Sequence, residues 1–452
     1  MEAIPGHEGQ RRSMQLAKIL FVATILSLFL AGGLFAYLLF FTNTPTTNSH
    51  ILAKQEPVIV TSNPDIDAFK TIARQYVKAG IQGKYEQNWS LLHPSLRALW
   101  PNQRAFTAFW RAHYRDYILK GFTLGKVSQL SAWVNPETMI QYTNVLKAGV
   151  SLQIELKPGL QGAQLPPEVL HSAPLFQNVP LIAQRTGGAG NVWSIVEGGP
   201  FDLEAPILPP LQPVSRTVQV PIPMFHHISN VPVYEALARS LEVNPTLFTQ
   251  QMDYLKAQGY HTITFNQLFN ALYYGGPLPA KPIILTFDDG YDDAYKFAYP
   301  ILKAHGFSGM FYIITGKIGW GGQMTWRQMS EMLQNGMQMG SHTIHHVDMG
   351  QVLNESLVQA QQELQVSQIT LQRGFGIPIQ QFCYPSGEPF RHGTLAEQQQ
   401  IVSLLAQDGY VGATTDPGMT GTMQDDMAPF ELLRIRVDGR SSLQTFEQSM
   451  PW

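Results

Sequence analysis

The chain has 452 residues, 44% of them hydrophobic and 14% charged, with a formal net charge of −3. That length exceeds one ordinary core and favours two domains with added segments, and the near-neutral charge, with no basic block beyond the N-terminus, argues against nucleic acid as a partner. A single cysteine, Cys383, excludes an internal disulfide. Ile19–Phe41 is an uncharged apolar run of 23 residues, long enough at about 1.5 Å per residue to cross a roughly 30 Å hydrocarbon layer. Arg11, Arg12 and Lys18 precede it, and no Lys or Arg follows until Lys54. This bias places residues 1–18 in the cytoplasm and everything after residue 42 outside. A cleaved signal peptide would have an apolar region of only about 7–15 residues and end in small residues, a poor match to Thr42-Asn43-Thr44-Pro45. The expectation is an uncleaved, single-pass signal anchor in the cell membrane.

Residues 42–63 are rich in Thr, Asn and Pro and read as a tether. Residues 64–204 read as a smaller α+β domain. A helical pattern runs through Phe69, Ile72, Ala73, Tyr76 and Val77, a second stretch bears Trp89, Leu91 and Leu92, and a third runs from Arg104 to Tyr117. Strand-like runs follow at Phe122–Trp133, Met139–Leu146, Val150–Leu156 and Val192–Val196. In order and size this segment resembles the cone-shaped nuclear-transport-factor-2-like fold, with its aromatics read as core and a ligand or protein partner left open. Residues 205–217, with four prolines in Ala205–Val214, read as a second linker.

The remaining residues, 218–452, alternate strand and helix patterns. Helices are expected over Tyr295–Lys303, Trp326–Gln334, Glu355–Gln372 and Thr394–Gln407, with a strand at Gly309–Ile314. Ile283–Leu285 reads as a buried strand whose C-terminal end presents Asp288 and Asp289 at the rim, where parallel α/β sheets and barrels carry their chemistry. Adjacent carboxylates on an extended chain point to opposite sides and can hold different jobs. His342, His345 and His346 are spaced so that two imidazoles can converge on one ion. One carboxylate with two histidines is a normal ligand set for a catalytic zinc that keeps a position open for water, leaving the other carboxylate as a base.

Thr286-Phe287-Asp288-Asp289-Gly290 and His342-Thr343-Ile344-His345-His346 also match, complete and in order, two motifs of a known family. Over residues 218–452 the chain resembles the polysaccharide deacetylases, the NodB-homology group of carbohydrate esterases. The resemblance implies an incomplete (β/α) barrel and a hydrolase that removes N-acetyl groups from a glycan. It gives Asp289, His342 and His346 as metal ligands and Asp288 as the base, with His345 as a bystander. Zinc is the default metal, while two nitrogens and one oxygen also suit nickel, cobalt or iron. The usual third motif, R-x-P-Y-G, is here Cys383-Tyr384-Pro385-Ser386-Gly387, so the arginine that orients the base is absent and Ser386 is expected to offer a backbone N–H to the oxyanion. The fourth motif has no match in Asp408–Gly421, and the fifth, which supplies the acid, has no histidine in Leu432–Val437. One branch, resembling extracellular deacetylases of poly-N-acetylglucosamine, takes its acid from an early strand ending in Tyr-His. His226 holds that position here, and His227 is expected to face away. Peptidoglycan, a chitin-like chain and a biofilm glycan all fit as the polymer. An O-acetyl esterase and an inactive carbohydrate-binding barrel are the alternatives.

Overall fold

The computed structural model describes residues 64–159, 176–186, 192–211, 214–230, 235–416 and 421–452. The expected cytoplasmic tail, membrane span and tether lie outside the described residues. Among the described residues no helix is long and apolar enough to cross a membrane.

The first domain opens with helices α1 (Pro64–Ile81), α2 (Tyr85–Leu91), α3 (Pro94–Arg97) and α4 (Gln103–His113). Asp65 and Asp67 favour the positive end of α1, and the Asn102 side chain caps α4 by accepting from Ala105 N–H. An antiparallel sheet follows: β1 (Tyr117–Leu124), β2 (Ser128–Val134), β3 (Gln141–Leu156), β4 (Val179–Thr186) and β5 (Val192–Gly198). Its order is β1-β3-β4-β5, with β2 also on β3. Two boundaries and one strand differ from expectation. The first run is two strands, and Gln141–Leu156 is one long strand that takes in most of the second run and all of the third, because Gly149 stays in the ladder opposite Pro180. Strand β4 has no counterpart in the sequence reading, since Pro180 lies near its start and demotes that pattern. Phe69, Phe106, Trp110 and Phe201 fill the core between helices and sheet.

Ala205, Ile207 and Leu208, expected in a linker, are buried. Gln380 clamps Ile207 by donating to its carbonyl at 3.1 Å and accepting its N–H at 2.8 Å. Apolar burial and paired backbone groups make this segment a packed strap.

The second domain is built on seven short parallel strands: β6 (Pro223–Phe225), β7 (Thr286–Phe287), β8 (Met310–Ile313), β9 (Gln338–Ser341), β10 (Gln381–Cys383), β11 (Gly412–Thr414) and β12 (Ile435–Arg436). Their order is β11-β10-β9-β8-β7-β6-β12, an α/β sheet that curls without closing fully. Its ends approach through a bridge from Thr414 to Leu432, just upstream of β12. The principal helices outside it are α5 (Pro245–Ala257), α6 (Phe265–Tyr274), α7 (Tyr299–His305), α8 (Trp326–Gln334), α9 (Leu357–Phe375) and α10 (Leu395–Gln407). Helices α6, α8 and α10 each begin with a reciprocal Thr–Gln or Thr–Glu capping box, which satisfies two end donors at once.

Register fixes where the chemistry sits. Phe225 pairs with Phe287, and Phe287 with Phe311. These rings stack at 5.3 and 4.7 Å in the layer between sheet and helices, each burial contributing about 1.5–3 kcal/mol. Side chains alternate along a strand, so the residues after Phe225, Phe287 and Phe382 turn into the barrel: His226, Asp288 and Cys383.

Candidate active site

At the end of β7 the chain does not stay extended. Asp289 and Gly290 both adopt left-handed backbone, with φ of 73° and 74°, a region Asp tolerates and Gly enters freely. Both carboxylates therefore remain at the same end of the barrel. The alternation expected of an extended chain stops at Asp289.

Asp288 is buried and held by Arg434, which is itself fully buried. Arg434 Nη1 donates to Oδ1 at 2.8 Å and Nη2 to Oδ2 at 2.9 Å, the two-pronged geometry that makes such pairs strong. Its Nε donates to Thr415 O at 2.6 Å. Burial pushes the Asp288 carboxyl up, but the guanidinium and nearby imidazoles outweigh it and hold the group below the ordinary carboxylate range. The orienting arginine missing from the third motif is thus supplied by the Leu432–Arg436 segment at the seam of the sheet. Cys383 occupies the vacated position. Burial keeps its thiol protonated, 3.6 Å from Asp288 Oδ2.

Asp289 faces His342 Nε2 at 3.4 Å and His346 Nε2 at 3.2 Å through one oxygen, Oδ1, which is buried without a proper hydrogen-bond donor. The ligand atoms of these three residues lie within 4.8 Å of one another. His342 Nδ1 lies 2.8 Å from Cys383 O. Donating its proton there leaves Nε2 as the lone-pair donor, the outer-shell arrangement metal-binding histidines use. An orphaned carboxylate oxygen facing two imidazoles fits a divalent cation. Asp288, His342 and Cys383 form a second possible group, but Arg434 already occupies Asp288 and the thiol stays protonated, so it is the poorer donor set.

His346 is placed by a loop that reverses at Thr343 (φ 64°) and at His346 itself (φ 60°). Glu363 on α9 pins that loop: its carboxylate accepts from the N–H groups of Ile344 and His345 at 2.8 and 3.1 Å and meets His345 Nδ1 at 2.6 Å. His345 is an anchor for the ligand loop, and Glu363 is a positioning residue that sequence reasoning missed.

His226 Nε2 lies 3.9 Å from Asp288 Oδ2, as the pairing of β6 with β7 dictates. Burial holds its pKa below the ordinary imidazole value, with Asp288 and Asp289 pulling it back up. His227 points elsewhere. Its Nδ1 lies 2.6 Å from Asp293 Oδ2, and its ring stacks on Tyr291 at 3.6 Å. Ser386 shares the strand-end rim but stands outside the carboxylate–imidazole cluster, exposed and left-handed at φ 56°. The turn around it packs so closely that a Cβ on Gly387 would come within 2.8 Å of Asp416 O.

Comparison with known proteins bears on the family. The family model for polysaccharide deacetylase matches residues 275–409. The putative polysaccharide deacetylase YxkH of Bacillus subtilis is 30% identical over 232 residues, covering 51% of this chain and 76% of that protein. The chain belongs to the polysaccharide deacetylase family. A poly-β-1,6-N-acetyl-D-glucosamine N-deacetylase of Staphylococcus aureus is 25% identical over 162 residues, 33% of this polysaccharide deacetylase and 55% of the relative. Among solved structures, the Streptococcus pyogenes deacetylase PplD in complex with acetate is similar, at 30% identity and a TM-score of 0.45, covering 53% of this chain and all of that one.

Proposed function

We propose that this polysaccharide deacetylase is a divalent-metal-dependent enzyme that removes acetyl groups from an N-acetylglucosamine-containing glycan outside the cytoplasm. The observation that carries the reading is one strand-end cluster in which an arginine-clamped carboxylate, Asp288, adjoins the Asp289–His342–His346 donor set. The names of relatives that deacetylate poly-N-acetylglucosamine support the substrate class. Asp289, His342 and His346 would hold the cation, with zinc as the default. When bound, it supplies Lewis acidity toward the acetyl carbonyl and the attacking water.

The chain's own groups account for the proton movements. Asp288, kept ionised by Arg434, accepts a proton as the water oxygen bonds to the amide carbon. Burial keeps His226 neutral at rest, so the proton it delivers must reach it during the reaction, and Asp288 at 3.9 Å is placed to pass it on. His226 then protonates the nitrogen as the carbon–nitrogen bond breaks, giving acetate and a free amine. A backbone N–H of the Ser386 turn would face the oxyanion. The base-clamping Arg434 offsets one of the two losses, the third-motif arginine and the fifth-motif histidine, that favour an inactive barrel.

The test is acetate release from N-acetylglucosamine oligomers, compared with acetylated xylan, before and after a chelator and on adding back zinc or cobalt. Release from xylan alone would sink the N-deacetylase reading. Location is tested separately by a reporter, active only outside the cytoplasm, fused after residue 452. Activity in the membrane fraction supports the anchor, and a shortened protein released into solution overturns it.

A further inference from the structure

Trp320 is 65% exposed, and it is the only aromatic among the exposed large hydrophobic side chains of the described residues. Exposure of so large an apolar ring needs a reason, because Trp is highly buried on average. The loop that carries it is not slack. Gly319 and Gly322 take φ of 78° and 84°, and five backbone hydrogen bonds stitch the turn. Gly319 N–H donates to Met324 O at 2.9 Å, Trp320 N–H to Lys317 O at 3.0 Å and Gln323 N–H to Trp320 O at 3.0 Å. Asp292 N–H donates to Gly322 O at 3.0 Å and Met324 N–H to Gly290 O at 2.9 Å. With its amide turned to donate, Gln323 also reaches Asp289 O at 2.8 Å and Gly290 O at 3.1 Å. The Trp320 turn is therefore fastened to the backbone that carries Asp289. Gly319, Gly321 and Gly322 have no neighbour within 4 Å of an added Cβ, so these three positions face open space.

Next to His226 in the chain, His227 stacks on Tyr291 and is fixed by Asp293. Tyr291 itself bridges to Gln323. The aromatic pair beside the proposed acid is thus joined through the backbone to the turn that carries the exposed indole. A pyranose ring offers a flat face of C–H groups with hydroxyls around its rim, and an indole face matches it with contact area at low entropy cost.

We infer that Trp320 is a sugar-binding subsite that stacks on a unit of the polymer next to the one being deacetylated. The inference rests on the proposed polysaccharide substrate and specifies how that substrate is gripped. A single acetylated sugar or a small ester would not reach Trp320, so the residue makes the enzyme sensitive to chain length.

The experiment uses the full chain with metal added. Trp320→Ala should lower kcat/KM for an N-acetylglucosamine pentamer about 10-fold, the cost typical of truncating a stacked aromatic contact. Hydrolysis of nitrophenyl acetate should not change, and Trp320→Phe should recover part of the loss. Pentamer binding to Asp288→Asn, measured by calorimetry, should weaken about 10-fold when Trp320→Ala is added. Equal losses on pentamer and ester would show a merely structural loop and overturn the subsite, as would an unchanged pentamer rate. If the wild type binds the pentamer yet releases no acetate, the deacetylase reading fails while the subsite stands or falls on the calorimetric comparison.

Discussion

The two domains bury acidic groups in opposite ways. In the barrel the two strand-end carboxylates have cationic or imidazole company: Asp288 with Arg434, and Asp289 with His342 and His346. In the α+β domain Glu137, Glu197 and Asp202 are buried, with Glu204 close by, and none of the four forms an ion pair among the described residues. Glu137 Oε1 and Glu197 Oε2 have no hydrogen-bond partner. Burial first, then mutual repulsion, drives Glu137 and Glu197 well above the ordinary carboxylate range, and burial raises Glu204 to about 8. Lys147, the charge nearest in effect, is itself pushed down by burial. The difference is physical: a buried carboxylate stays ionised only where a partner compensates lost hydration, and otherwise takes up a proton. The carboxylates at the barrel rim are held ionised, and the other cluster is expected to make stability depend on pH.

Removing the partners of Asp289 should have the largest effect. His342→Ala combined with His346→Ala should take bound metal, measured by elemental analysis, from one per chain to none and amide hydrolysis to background. Unchanged metal content would show that Asp289 is paired for structural reasons only. His226→Ala comes next. Amide hydrolysis should fall roughly 10²–10⁴-fold, the range for general acid–base catalysis, with metal content unaltered. Hydrolysis of nitrophenyl acetate, whose leaving group needs little protonation, should fall far less. Equal losses on both would assign His226 a structural role.

Arg434→Met tests the compensation directly. Leaving Asp288 buried and unpaired should destabilise the fold by about 3–5 kcal/mol in denaturant unfolding. It should also raise the Asp288 pKa, so the acid limb of the pH–rate profile moves to higher pH. Adding Asp288→Asn should recover part of the lost stability, since no charge is then stranded. Loss of activity with no change in stability would mean that the pair is not coupled as its geometry implies.

Glu204 gives the smallest effect and probes the other half of the contrast. Its folded pKa of about 8 lies above its ordinary value of 4.5, so at intermediate pH the folded state holds a proton that the unfolded chain has lost. Its effect favours the fold most below the unfolded value and fades as pH rises toward 8. Thermal unfolding should therefore occur at lower temperature at pH 8 than at pH 5, and Glu204→Gln should flatten that slope. An unchanged slope would shift the effect to Glu137, Glu197 and Asp202.

The sequence by itself determined what is local in the chain. Asp288 and Asp289 are adjacent, His342 and His346 lie within one turn, and strand periodicity with helix caps placed them at the end of a parallel sheet. His226 was singled out only through the resemblance to a branch whose early strand ends in Tyr-His. The ladder beside β7 explains why it meets Asp288. The base-orienting arginine was not legible: Arg434 and Asp288 are 146 residues apart and meet only because the sheet curls until the segment after Leu432 closes its seam. The sole trace was a pair of arginines, Arg434 and Arg436, inside the otherwise apolar run Leu432–Val437, since such a residue must be paired when buried. Glu363 and Gln323 were hidden for the same reason, each reaching a ligand loop from another element. Ion-pair compensation depends on which strands and helices become neighbours, and tertiary structure alone decided that Asp288 would have a cation while Glu137, Glu197 and Glu204 would not.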